Sequence, residues 1–300
     1  MQKIKICLPA TITNFGPGVQ SLGLAVGLYV TVEISGRKDD ALKLDMKGEG
    51  ADHLTSPLKH PVVLGVERFF QTIEKTHLGI NIRVENQIPL NSGLGAESAM
   101  MLAGILGANF LMGEVYTWAD LLEIAADLIQ PDRVVTAIHG GLTASLLHEG
   151  ELTYRSLPAA ALKVIVIVPQ IEPYSPPELP ERVLLSAALH NLQRMPLFIE
   201  ALRLGDLKLL ARMMDDRLSL PQRSGAIPGY EAVVATARRM GALAVSLSGE
   251  GPTMIAFAEN RQERIADEMR LTLRDAGIMA RTWVLPVDTQ GIVFSIMQSA

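Results

Sequence analysis

One cysteine, Cys7, occurs in 300 residues, which excludes an internal disulfide and a cysteine-built zinc site. A lone thiol of this kind reads as a small buried hydrophobe and suits a reducing compartment. Aromatic residues are scarce at 5%, and no Lys/Arg run or aromatic-interleaved basic stripe appears. With a formal charge of −5, the chain lacks the electrostatic footprint of a nucleic-acid binder, so no nucleic-acid partner is expected. Long apolar runs are missing as well. The most apolar helix-like stretch, Ala99 to Met112, is shorter than the ~20 residues a bilayer span needs. The opening MQKIKICLPAT has no signal-peptide apolar core. The expectation is a cytoplasmic protein without a membrane anchor. Neither an internal repeat nor a low-complexity segment is present.

What is there is ordinary globular composition, 48% hydrophobic and 20% charged, at a length that suits two medium domains. Alternation predicts strands over Lys3–Cys7, Val26–Ile34 and Gly79–Val84. Helical spacing of apolar residues predicts helices over Pro61–Ile73, Ala96–Leu111 and Thr117–Ile129, the last with Thr117 as its N-cap. Gly140-Gly141 opens a hairpin whose turn is Glu149-Gly150-Glu151, and Leu162–Val168 has the β-branched look of a covered strand. The boundary is placed just before it, giving segments 1–160 and 161–300. The second segment reads as several helices between Glu181 and Leu218, a helix over Tyr230–Met240 and a strand–turn–strand across Ala242–Phe257. A helix over Arg261–Ala276 and two closing strands follow. That alternation is compatible with a ferredoxin-like α+β sandwich.

The segment Ile88-Pro89-Leu90-Asn91-Ser92-Gly93-Leu94-Gly95-Ala96-Glu97-Ser98 joins a strand to a long apolar helix. Two glycines there let the backbone approach a ligand, and helix-start amides favour an anion. The spacing fits neither a Walker A loop nor a dinucleotide fingerprint. Alone, such a pair is more often a tight strand-to-helix turn than an anion site. The six histidines, His53, His60, His77, His139, His148 and His190, show no metal-ligand spacing and read as structural or surface residues.

Pro-Leu-x-Ser-Gly-Leu-Gly resembles the phosphate-binding motif of the galactokinase, homoserine kinase, mevalonate kinase and phosphomevalonate kinase (GHMP kinase) superfamily. Pro9-Ala10-Thr11-Ile12-Thr13-Asn14-Phe15-Gly16-Pro17-Gly18 is similar to its first motif and Leu247-Ser248-Gly249-Glu250-Gly251-Pro252-Thr253 to its third. Gln130-Pro131-Asp132-Arg133-Val134 resembles the homoserine kinase stretch His-Pro-Asp-Asn-Val. Asp216-Arg217-Leu218, Pro221, Arg223 and Ile227-Pro228-Gly229 resemble a segment that contacts the amino acid in those kinases. The resemblance implies an α+β GHMP kinase fold. Its N-terminal domain is ribosomal-protein-S5-domain-2-like and bears the phosphate loop; its C-terminal domain is ferredoxin-like. The implied activity is ATP-dependent phosphorylation of L-homoserine to O-phospho-L-homoserine in threonine biosynthesis, with Mg2+ as the metal and a homodimer as the assembly.

By the same resemblance Pro89, Ser92, Gly93, Leu94, Gly95, Ala96, Glu97 and Ser98 surround the triphosphate, and Gly249 and Gly251 close over it. Asn14, Gln20 and Arg223 take the substrate, Arg223 gripping its carboxylate. Arg133 and Asp127 are the catalytic candidates. Ser98 and Asp127 are the metal candidates, with Asp127 equally readable as a solvated helix residue. Phosphoryl transfer asks mainly for positioning and charge neutralisation, so no dedicated base is required.

Several positions depart from the pattern. Gln20 stands where homoserine kinases carry Asp, and no arginine matches their second carboxylate-binding one in the shortened Tyr174–Pro180, although Arg182 lies close by. Glu97 adds a negative charge beside the phosphate site and Arg133 a positive one. A compensating Glu97–Arg133 pair is expected across it, against the alternative of two unrelated surface charges. Two alternatives to the homoserine reading follow: an impaired relative with a binding or regulatory role, and a kinase of another small hydroxyl metabolite.

Overall fold

The computed structural model describes residues 2–53, 56–75 and 79–298. His77 and the side chain of His53 lie outside the described residues.

A seven-stranded sheet holds β1 (Gln2–Thr13), β2 (Leu22–Gly36), β3 (Leu42–Gly48), β4 (Ile80–Asn86), β5 (Leu142–His148) and β6 (Glu151–Leu157). Its seventh strand comes from the far end of the chain. β1 runs beyond Cys7 because its pairing with β2 continues past a register shift at Pro9/Ala10, where proline has no amide to give. Along β2, Val30, Val32 and Ile34 are buried while Tyr29, Thr31 and Glu33 are half-exposed, the period of a sheet covered on one face. Helices α1 (Pro61–Thr72) and α2 (Ala96–Leu111) lie against each other, and α2 packs on β1 and β2. Gly65 and Gly104 make their crossing close, since a Cβ at either would overlap a carbonyl of the facing helix.

The sequence reading does not anticipate β3, although Leu42, Leu44 and Met46 alternate with Lys43, Asp45 and Lys47 as in a polar edge strand. It also omits α4 (Pro131–His139), which starts on Pro131 at a position where a missing amide costs nothing. Before it, α3 (Trp118–Ala126) carries the expected cap: Thr117 accepts the Asp120 amide and Asp120 accepts the Thr117 amide. Cys7 is half-buried, paired with Thr31 of β2 and Val293, and is not the fully buried hydrophobe expected.

The second sheet has the antiparallel order β10-β7-β9-β8, from β7 (Lys163–Pro169), β8 (Ala244–Leu247), β9 (Met254–Phe257) and β10 (Ala280–Pro286). Around it are α5 (Leu185–Leu204), α6 (Leu207–Met213), α7 (Leu220–Gly225), α8 (Tyr230–Met240) and α9 (Gln262–Asp275). β7 is buried on both faces. Ile165 and Ile167 join Val233 of α8 and Met269 of α9, while Val164, Val166 and Val168 join the core that holds Phe198 and Leu202 of α5. The closing strand, β11 (Val293–Gln298), leaves this sheet and pairs antiparallel with β1. Residues 161–300 are therefore not confined to the second sheet. One strand returns to cover what would otherwise be the open edge of β1. Among the described residues no helix is long and apolar enough to cross a membrane.

His60 caps α1, accepting the Val62 amide on Nδ1, with Nε2 3.2 Å from Met46 Sδ. Burial pushes its pKa down to about 4. Between that value and ~6.5 the unfolded chain binds the extra proton, so this histidine's contribution is present above pH ~6.5 and is lost as pH falls towards 4. His60→Asn keeps an acceptor at the cap. In urea unfolding, the stability gap between wild type and variant should shrink by about 2–3 kcal/mol from pH 7 to pH 4. Parallel pH profiles would contradict the assignment.

Candidate active site

The loop from Ile88 to Gly95 is held in shape before any ligand is considered. Ser92 is buried and braces it from inside, donating to the Pro89 carbonyl at 2.7 Å and accepting the Leu94 amide. Leu94 and Ala96 point into the core, and the Leu94 carbonyl accepts the Thr11 amide of β1 at 2.9 Å. Gly95 is the N-cap of α2 with φ 78°, a left-handed conformation that glycine adopts without strain. It offers no side-chain cap, so the first-turn N–H groups keep their anion-binding capacity. Of the expected phosphate-site residues, Gly93, Gly95, Glu97, Ser98 and Gly251 line a cavity of about 580 Å³. Pro89, Ser92, Leu94 and Ala96 do not line it and shape the loop, and Gly249 does not line it either.

The loop Ser248–Thr253, between β8 and β9, sits directly on this one. Ser248 Oγ donates to the Gly93 carbonyl at 2.8 Å, and the Thr253 amide donates to the Ser92 carbonyl at 3.2 Å. The Gly249 amide reaches the Thr13 carbonyl at 2.7 Å, and Ser246 Oγ accepts the Gly16 amide at 3.2 Å. Three segments far apart in sequence thus meet at one point. A Cβ on Gly93, Gly249 or Gly251 would overlap the opposite backbone.

The charges around the cavity are paired differently from expectation. No Glu97–Arg133 ion pair forms among the described residues. Glu97 Oε1 accepts the Asn91 amide at 2.9 Å, a bond to a group only six residues away that ties the loop entry to the helix start. Arg133, in the first turn of α4, reaches across to Glu250 of the second loop at 3.0 Å. Glu97 is therefore a loop brace, and the compensating partner of Arg133 is Glu250. Asp127, at the end of α3, pairs with Arg68 of α1 and remains 59% exposed. Asp132, which the sequence reading passes over, is 2% exposed, and burial pushes its pKa up to about 6. Its Oδ1 accepts the Arg133 amide, while Oδ2 finds no protein partner among the described residues.

Arg223, on α7, is 4% exposed. Its Nη1 donates to the Asn14 carbonyl at 2.7 Å, whereas Nε and Nη2 have no protein partner among the described residues. Burial pulls its pKa below the usual arginine range, partly offset by the fields of Tyr174 and Asp216. Asp216 organises this corner: its carboxylate accepts from the Asn191 side chain, the Ser219 hydroxyl and the amides of Leu218, Ser219 and Leu220, fixing the start of α7. Asn14 is buried in a left-handed turn and its Oδ1 accepts the Gln20 amide at 2.7 Å. Gln20 itself is exposed and does not line the cavity.

Among the described residues no three acidic, histidine or cysteine side chains cluster as a metal cage. The Ser98 hydroxyl and the Asp127 carboxylate line the cavity, and a magnesium ion that takes most of its ligands from phosphates and water needs only one or two such oxygens from the protein.

The sequence matches the GHMP kinases N terminal domain over residues 62–141 and GHMP kinases C terminal over residues 198–275. A homoserine kinase of Moorella thermoacetica is 33% identical over 276 residues, 90% of this chain and 93% of the relative. The chain belongs to the GHMP kinase family. A second relative, homoserine kinase of Carboxydothermus hydrogenoformans, is 32% identical over 84% of each chain. The crystal structure of homoserine kinase from Cytophaga hutchinsonii superposes with a TM-score of 0.83 at 27% identity, covering 98% of this chain and 97% of that one. As a GHMP kinase, the protein is an ATP-dependent small-molecule kinase, and the glycine-built cavity between its two loops is the candidate phosphate site.

Glu97 faces this cavity with a full negative charge, while its hydrogen bond to Asn91 needs only an oxygen. Glu97→Gln should therefore keep the loop and tighten MgATP binding by about fivefold, near 1 kcal/mol. Titration calorimetry reads this directly, and unchanged or weaker binding would contradict it.

Proposed function

We propose that this GHMP kinase transfers the γ-phosphate of ATP to the side-chain hydroxyl of L-homoserine, releasing ADP and O-phospho-L-homoserine. The observation that carries the choice of an amino-acid substrate is Arg223. A guanidinium buried to 4% exposure with two nitrogens unpaired is costly unless an anion completes it. A substrate carboxylate accepts the planar fork in the bidentate geometry that arginine favours. The names of the relatives, homoserine kinases at about 30% identity over most of the chain, point to the same acceptor.

In this reading the loop amides and the start of α2 hold the triphosphate, and Ser98 with Asp127 would hold magnesium, which neutralises charge on the transferring phosphoryl group. Arg133 exchanges Glu250 for phosphate oxygens when nucleotide enters. Asn14 and the neutral Gln20 stand together at the turn after β1, where neither supplies the charge that a carboxylate would offer a substrate ammonium.

A second reading has one observation in its favour: the Arg133–Glu250 pair spans the site and would exclude nucleotide if it never opened. The chain is then an impaired relative, and MgATP leaves its melting temperature unmoved, since only a ligand of the folded state shifts it.

ADP release with magnesium and ATP, with and without L-homoserine, separates the readings. The expected result is homoserine-dependent turnover, with kcat/KM for L-homoserine reduced about 100-fold or more in Arg223→Ala. Turnover that ignores L-homoserine, or that survives Arg223→Ala undiminished, contradicts the proposed acceptor.

A further inference from the structure

Helix α5 is docked along only half of its length. Its C-terminal half buries Phe198, Ala201 and Leu202 in the larger core, whereas its N-terminal half buries only His190 and Asn191. Pro196 separates the two halves and leaves the Leu192 carbonyl without its helical donor. At the N-cap, Leu184 supplies no side-chain cap.

Among the described residues, exposed large apolar side chains are concentrated at this end of α5. Leu184, Leu185 and Leu192 are between 66% and 77% exposed, with Val183, Leu189 and Leu197 exposed beside them. Leu185, Leu189, Leu192 and Pro196 follow one another at intervals of four, three and four, which puts them on one face and matches the seam of a two-helix coiled coil. A rival surface exists at the edge of the first sheet, where Ile296 of β11 is exposed, but Phe294 beside it is already packed on Trp118 with ring centroids 5.5 Å apart.

We propose that the leucine face of α5 is the interface of a twofold dimer, in which the helix of one copy lies antiparallel on that of a second copy of this chain. The charge pattern selects this occupant. From Val183 to Gln193 the one ionisable side chain is His190, buried and 2.7 Å from Asp215. No like charges meet when such a face is laid against itself. The lysines and arginines that hold an amphipathic helix on an anionic lipid surface are missing from it. The flanks, in contrast, are charged. Glu178, Glu181 and Arg182 leave a net negative charge before the helix, and Arg194, Glu200 and Arg203 a net positive one towards its end. Antiparallel pairing sets each flank against the opposite flank of the second copy, the arrangement a twofold axis imposes. A stable interface takes roughly 20 residues from each side, the span from Leu179 to Leu197. This surface is independent of the acceptor that the kinase uses.

Sedimentation velocity on the full chain, over a wide range of concentration, should find a reversible species of twice the mass of one chain. Leu192→Glu removes no buried contact, yet across the axis it would bury two unpaired carboxylates. It should raise the dimer dissociation constant by about 100-fold or more with an unchanged far-ultraviolet circular dichroism spectrum. Ile296→Glu should leave that constant at the wild-type value. Hydrogen exchange on the wild type alone should show the amides of residues 185–193 slowing as concentration rises. A wild-type chain that stays monomeric throughout overturns the inference. So does a dimer that survives Leu192→Glu, or one that Ile296→Glu dissolves instead, the sheet edge then being the interface. Exchange at 185–193 that ignores concentration overturns it even where Leu192→Glu fails to fold.

Discussion

The contact of two backbone loops governs this molecule. Ser92-Gly93 from the first sheet and Ser248–Thr253 from the second approach so closely that a single Cβ on Gly93, Gly249 or Gly251 has no room. Ser248 Oγ and the Thr253 amide stitch the loops together, and Gly249 ties both to the end of β1. The first-turn amides of α2, which no side chain caps, start beside this contact, and donors already fixed in place need no reorganisation when they meet an anion. The cores on either side, α2 against β1 and β2, and β7 between two apolar layers, fix how the loops meet.

Around that junction most charges are already paired. Arg133 takes Glu250, Asp127 takes Arg68, and Glu97 takes a loop amide. The pairs are partly exposed, so each is worth little to stability and is easily exchanged for a stronger partner such as a polyphosphate. Arg223 is the exception, deeply buried with donors to spare, and its position is enforced by the Asp216 hub at the start of α7. On the proposed function, nucleotide binding is a trade of partners, whereas acceptor binding completes a site left short of an anion.

Much of this is legible in the sequence. The helices over Ala96–Leu111 and Tyr230–Met240 coincide with α2 and α8, because unbroken apolar periodicity and flanking glycines mark their ends. The resemblance of three glycine-containing motifs brought together residues that do meet in space. What could not be read was pairing. Glu97 and Arg133 look complementary by charge, yet a local amide and a carboxylate from the second sheet claim them first. The edge strand β3, the helix α4 and the return of β11 to β1 were missed for a related reason: short or polar elements owe their structure to neighbours distant in sequence. Asp132 and the Tyr174 hydroxyl stand out only once burial and the lack of a partner are known.

Seating of the second loop on the first is the claim that the rest depends on, and Gly251 isolates it, since its φ is not positive and a methyl there first meets the Ser92 and Gly93 backbone. The dissociation constant of MgATP should rise by tenfold or more in Gly251→Ala, at least 1.4 kcal/mol, while Gly36→Ala, where a methyl meets nothing, stays at the wild-type value. Wild-type affinity in Gly251→Ala would show that the loops need not touch for the phosphate site to form.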